Sequence, residues 1–285
     1  GAAAHRGGRM VRPLAGRPQR GRVSAHRDRA ALAAHPKAKV LGIVQAETST
    51  GAHQPVEGLS ALTRAHGALL VVDAVTSLGG HELRVDDWGI DAIYSGTQKC
   101  LSCPPGLGPF TMGPRAEEKL NARTGKVPNW YLDVSLLNQY WGSDRVYHHT
   151  APVNMNFGMR EALRLIAEEG LDNVWARHRR NAERLWAGLE RLGLELHAPA
   201  HLRLPTLTTV RIPEGVDGKA FTLHLLNKHG IEVGGGLGAL AGKVWRIGLM
   251  GYNSREENVD RLLNLLEQEL PAFRASAPAA AVAVA

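Results

Sequence analysis

The chain has 285 residues, 44% of them apolar, enough for one large domain or for a large and a small one, and no apolar run approaches the length that crosses a bilayer. Its net charge of +7, from 34 basic and 27 acidic residues, lies entirely in the first 29 residues, which hold eight arginines and one aspartate; the remainder carries 26 of each sign, which argues against a nucleic-acid or anionic-lipid surface on the folded part. The two cysteines, Cys100 and Cys103, argue against a disulfide scaffold.

Residues 1–30 are rich in Gly, Ala and Arg without apolar periodicity, and this composition predicts a disordered tail. "KVLGIVQAETSTG" then predicts a strand ending in small polar residues. "PVEGLSALTRAHG" predicts a helix with Leu59, Leu62 and Ala65 on one face, stopped by Gly67. "ALLVVDAVTSLGG" is apolar on both faces, as a central parallel strand should be, and "IDAIYSGTQKC" predicts another short strand. This alternation implies an α/β layer architecture with a mainly parallel sheet over residues 31–150.

From 151 to 273 the pattern changes. "GMREALRLIAEEG" and "LDNVWARHRRNAERLWAGLERLG" predict helices, the second with Leu171, Val174, Trp175, Ala182, Leu185, Leu189 and Leu192 as its apolar stripe. A strand "TLTTVRI", a helix around Phe221 to Leu226 and strands in "IEVGG" and "KVWRIGLMG" follow. In the last helix Ser254 and Glu257 have the spacing of a capping box, ahead of a stripe of Val259, Leu262, Leu263, Leu266 and Leu270. The expectation is a smaller C-terminal α+β domain, then a disordered low-complexity tail over 274–285.

Three predicted strands end in polar residues: Glu47 to Thr50, Asp73, and Ser95 to Lys99. In an open α/β sheet, ligands sit beyond the carboxyl ends of the strands. Taken singly, Asp73 and Lys99 fit a plain ion pair. Together in this layout they suggest pyridoxal 5′-phosphate, because a desolvated lysine amine is a nucleophile and an aspartate keeps a pyridine nitrogen protonated. Arg246 lies in an apolar strand and needs an acid or a ligand carboxylate. "CLSC" has no second pair and reads as two small residues packed beside a functional loop. The adjacent His148 and His149 have no matching ligand set, so no metal is expected. "GGGLGALAGKV" departs from the P-loop spacing and reads as a close-packed loop beside the substrate.

"QAETSTG", "VVDAVTSLGG", "YSGTQKCLSCPPG", "VYHHTAP" and "KVWRIGLMG" occur in the order and approximate spacing of class V, fold-type I aminotransferases dependent on pyridoxal phosphate. The sequence resembles this family from about Ala31 to about Phe273, most of all its alanine–glyoxylate (serine–pyruvate) type. The resemblance implies a PLP-transferase fold with Lys99 as the lysine bonded to the cofactor and as the proton shuttle, and Asp73 as the partner of the pyridine nitrogen. It further implies that Val75 packs on the ring, that Thr48 bonds near the phenolic oxygen and that Gln98 touches the phosphate. Tyr147 and Thr150 would reach the phosphate of a neighbouring subunit, making the active unit a homodimer, and Arg246 would hold the substrate carboxylate. The implied reaction is transfer of an amino group from alanine (or serine) to glyoxylate, giving pyruvate (or hydroxypyruvate) and glycine.

Members of the family carry a long further segment ahead of the point corresponding to Lys39, with a Gly-rich phosphate-binding turn, an aromatic ring over the cofactor and an N-terminal arm. This sequence has no counterpart to them, so an incomplete large domain and weak cofactor binding are expected. The alternative reading is a catalytically impaired, truncated paralogue. A cysteine desulfurase is disfavoured, because Cys100 and Cys103 directly follow the lysine instead of standing on a mobile loop. The expected location is the cytoplasm, or a peroxisome or mitochondrion in a eukaryote.

Overall fold

The computed structural model describes residues 23–274; of the tails predicted over 1–30 and 274–285, residues 1–22 and 275–285 lie outside them. α1 (Val23–Ala34) leads into β1 (Val40–Val44), the hairpin strands β2 (Ala46–Glu47) and β3 (Ala52–His53), α2 (Leu59–His66) and β4 (Leu69–Asp73). β5 (Ala92–Tyr94), β6 (Phe110–Met112), α3 (Pro114–Asn121) and α4 (Val134–Trp141) follow.

β1, β4 and β5 are parallel and β6 is antiparallel, in the order β1-β4-β5-β6. Alternation along the strands buries Leu41 and Ile43, Leu70 and Val72, and Ile93 in one core. Leu59 from α2 and Leu32 from α1 close it. α2 stops where predicted: Gly67 takes φ +75°, and its N–H bonds the Arg64 carbonyl. At the amino end of β5 both oxygens of the buried Asp91 accept from Arg115 Nη1, at 3.0 and 2.7 Å, and Oδ2 also accepts the Leu70 N–H.

The tail expected over 1–30 is corrected in part, because residues 23–30 belong to α1. Ala and Arg are strong helix formers, and burying Leu32 against the first core gives the helix a tertiary anchor that composition does not reveal.

α5 (Val153–Glu169), α6 (Leu171–Arg191), β7 (Leu207–Arg211), α7 (Gly218–His229), β8 (Gly234–Gly235), β9 (Val244–Gly248) and α8 (Glu256–Glu269) form the second part. Its antiparallel sheet has the order β7-β9-β8. Trp245 and Ile247 of β9 point into a core made with Leu185 and Leu189 of α6, Phe221 and Leu225 of α7, and Leu262 and Leu266 of α8. Arg246 therefore points to the opposite face. Leu171, assigned to the α6 stripe from sequence, is exposed at the helix start.

The capping box is also corrected. Ser254 is fully buried, its Oγ accepting from Asn181 Nδ2 at 3.3 Å, so α8 begins after Arg255 with no side-chain cap. Glu256 and Glu257 still occupy the first turn, where the helix dipole favours negative charge. Among the described residues no helix is long and apolar enough to cross a membrane.

Candidate active site

The parallel register brings the polar strand ends to one edge. Val44 stands opposite Asp73, and Asp73 opposite Tyr94. Asp73 is half-buried; its Oδ1 accepts the Val75 N–H at 2.9 Å and its Oδ2 the Tyr94 hydroxyl at 2.8 Å. A carboxylate has about four lone-pair positions, so acceptor capacity remains toward the edge. Tyr94 was given no role by sequence reasoning, because a cross-strand neighbour in a parallel pair comes from a distant segment.

Lys99 is not at the end of a strand. β5 stops at Tyr94, and Ser95 is drawn out of the ladder by bonds from its N–H to the Pro109 carbonyl and from its Oγ to the Ala74 carbonyl, at 2.8 and 2.9 Å. A closed turn follows. The buried Thr97 donates from Oγ1 to the Pro104 carbonyl at 2.8 Å, and its own carbonyl accepts the Cys103 N–H at 3.0 Å. The Ser102 N–H bonds the Lys99 carbonyl at 3.0 Å. Lys99 is thus held half-buried on a rigid loop, and Ser102 adopts φ +56°, a strained conformation for a residue with a side chain. Among the described residues no carboxylate lies within ion-pair distance of the Lys99 amine, so the plain Asp73–Lys99 ion pair is not formed.

Gln98 is exposed and lies over Gly96, where an added Cβ would stand 2.7 Å from Gln98 Oε1. Thr48 is half-buried in the turn after β2. Arg246 reaches it from β9, donating from Nη1 to the Thr48 carbonyl at 3.4 Å and from Nε to the Gly235 carbonyl at 2.6 Å. No carboxylate pairs with Arg246 among the described residues. Tyr147 and Thr150 are exposed and bonded to each other, Oη to Oγ1, at 2.9 Å; no contact joins them to Lys99, Asp73 or Gln98.

Cys100 and Cys103 are both buried, and burial pushes the Cys100 thiol up to about 12. A thiol that stays protonated is a poor nucleophile, which agrees with a packing role. Behind the Lys99 turn, Gly251 sits against Cys100 and Ser102, and the Tyr252 N–H bonds Ser102 Oγ at 2.8 Å. Thr206 Oγ1 bonds the Thr76 carbonyl at 2.9 Å. These backing residues carry no signature in the sequence beyond the glycine itself.

Residues 2–262 match the aminotransferase class-V family. The chain belongs to the class-V aminotransferases. It is 45% identical over 244 residues to an alanine–glyoxylate aminotransferase of Oryctolagus cuniculus, an alignment covering 84% of this chain and 62% of that protein. It is 40% identical over 252 residues to an (S)-ureidoglycine–glyoxylate transaminase of Bacillus subtilis, covering 82% of this chain and 61% of that one. The crystal structure of an alanine–glyoxylate aminotransferase from Nostoc sp. superposes with a TM-score of 0.83 at 61% identity, over 85% of this chain and 64% of its own. The chain thus spans less than two thirds of the length of each of these relatives.

Family membership makes pyridoxal phosphate the implied cofactor of this class-V aminotransferase, in the fold-type I architecture. The residues present fit it. Lys99 offers an amine with no competing carboxylate among the described residues, Asp73 keeps free acceptor capacity, and Gly96 keeps open the space in front of Gln98.

Proposed function

We propose that this chain carries the lysine, the aspartate and the arginine of an aminotransferase that moves an amino group from alanine (or serine) to glyoxylate. The observation that carries the reading is the pair Lys99 and Arg246. Both are half-buried basic groups, Lys99 on the turn after β5 and Arg246 in the middle of β9, and neither has a carboxylate partner among the described residues. A buried cation without an anion is unfavourable unless a ligand supplies one or the amine gives up its proton.

When bound, pyridoxal phosphate supplies an electron sink for a substrate carbanion. Lys99 would hold its aldehyde carbon, and its amine would take the proton from the substrate Cα. Asp73, its two oxygens oriented by the Val75 N–H and the Tyr94 hydroxyl, would keep the pyridine nitrogen protonated. Val75 would pack on the ring, Thr48 would bond near the phenolic oxygen and Gln98 would meet the phosphate. Arg246 has five N–H donors and uses two on the Gly235 and Thr48 carbonyls, which leaves a two-pronged fork for the substrate carboxylate.

Tyr147 and Thr150 complete the phosphate site of a second copy, so the active unit is a homodimer. Their exposure, like that of Trp141 and Phe157, supports this reading. The test is to load the purified chain with cofactor and add alanine, then glyoxylate. Pyruvate should appear after the first addition and glycine after the second. A panel of alanine, serine and ureidoglycine decides the donor; turnover with none of them overturns the reading.

A further inference from the structure

On the helical side of the C-terminal sheet, His224 and His229 of α7 turn their Nε2 atoms onto one carboxylate, that of Glu269 at the end of α8. His229 Nε2 lies 2.9 Å from Glu269 Oε1, and His224 Nε2 contacts Glu269 Oε2. The potential ligand atoms all lie within 4.8 Å of one another. Each residue is partly buried, with side chains 28%, 18% and 17% exposed. The frame around them is rigid: Phe221 and Leu225 anchor α7 in the core, Leu266 and Leu270 anchor the end of α8, and Phe273 packs against the His224 ring at 5.0 Å. Nothing in the proposed transamination uses these groups. α7 packs on the Trp245 face of the sheet, and Arg246 points away from it.

We propose that His224, His229 and Glu269 form a binding site for a divalent transition-metal ion of the zinc class, pinning the end of α7 to the end of α8. Two imidazole nitrogens and a carboxylate oxygen are a recurrent zinc ligand set, with water completing the tetrahedron. Calcium and magnesium want an all-oxygen shell, which this cluster does not offer. Without a metal, Glu269 is shared by three donors, the third being Lys228 at 3.1 Å. Lys228 is 58% exposed and is free to swing away when a cation arrives, so its ammonium competes with the metal for the same oxygen.

Equilibrium dialysis of the chelator-treated full chain against zinc tests the site. One zinc per chain is expected. Zinc at a hundredfold excess over its Kd should raise Tm by roughly 5–10 °C. His224→Ala and His229→Ala should each weaken binding by more than about hundredfold, beyond the 10–100-fold that losing an outer-shell partner costs. A His148→Ala/His149→Ala control should bind as the parent does. Lys228→Ala should tighten binding severalfold, an outcome that a folding defect cannot imitate. No stoichiometric zinc on the parent, an unchanged affinity in the His224→Ala/His229→Ala double variant, or no tightening in Lys228→Ala overturns the proposal.

Discussion

His178 on α6 locks the backbone of Gly251. Its Nε2 accepts the Gly251 N–H at 2.9 Å, while Nδ1 donates to the Val174 carbonyl at 2.7 Å. Both bonds need the neutral ring with its proton on Nδ1. Gly251 in turn packs on Cys100 and Ser102, and Arg177 donates from Nη1 to the Gly251 and Ser254 carbonyls at 2.9 Å. A buried helix residue thereby supports the turn that carries Lys99.

Burial lowers the His178 pKa from 6.5 to about 4, against a smaller opposing effect of the Val174 carbonyl, with Arg177 and Glu169 also facing the ring. Below pH 6.5 the unfolded chain takes a proton that the folded chain refuses. The stability from this group is therefore complete above about pH 6.5 and is lost as pH falls toward about 4, a change of roughly 3 kcal/mol. Urea midpoints at pH 7, 5.5 and 4.5 should decline more steeply in the parent than in His178→Gln. The difference isolates His178 from His81, which burial lowers to about 3. Parallel curves would assign the acid sensitivity elsewhere.

Gly251→Ala should disturb the Lys99 turn. Gly251 has φ +56°, and an added Cβ would stand 2.0 Å from Ser102 Oγ and 2.5 Å from the Cys100 carbonyl. The backbone strain alone is worth about 1–3 kcal/mol. A lower denaturation midpoint with weaker cofactor uptake is expected; parent-like values for both would mean that the loop yields without moving Lys99.

Lys99→Ala should abolish the visible absorbance that pyridoxal phosphate gains when bonded to a lysine amine, and with it transamination. The far-ultraviolet circular dichroism should not change, because Lys99 is half-buried and makes no ion pair among the described residues. A retained visible band would place the bond on another lysine.

Asp73→Asn keeps an oxygen for Tyr94 or Val75 but removes the charge. Losing one charge-assisted bond should lower the rate by about 10–100-fold while some cofactor remains bound. A rate equal to the parent's would leave Asp73 a structural residue that holds Tyr94.

Arg246→Lys keeps the charge without the two-pronged bond. KM for alanine should rise by about 10–100-fold, with cofactor absorbance unchanged. If KM holds and cofactor uptake falls instead, Arg246 serves the cofactor rather than the substrate.

Local patterns were legible without coordinates. Short apolar runs marked β1 and β4, Gly67 ended α2, and the predicted 3.6-residue stripe of α8 proved buried at Val259, Leu262, Leu263, Leu266 and Leu270. The family motifs pointed to Lys99, Asp73 and Arg246, charged residues that stand in or beside apolar runs. What escaped the sequence depends on distant segments meeting. Strand register puts the Tyr94 hydroxyl on Asp73, burial takes Ser254 away from the α8 cap, and Leu32 finds a core that makes a helix of an Arg-rich segment. The same holds for His178 and Gly251, which are 73 residues apart, and for His229 and Glu269, 40 apart. A hydrogen bond needs its partners within about 3 Å, and only tertiary packing decides which residues meet that condition.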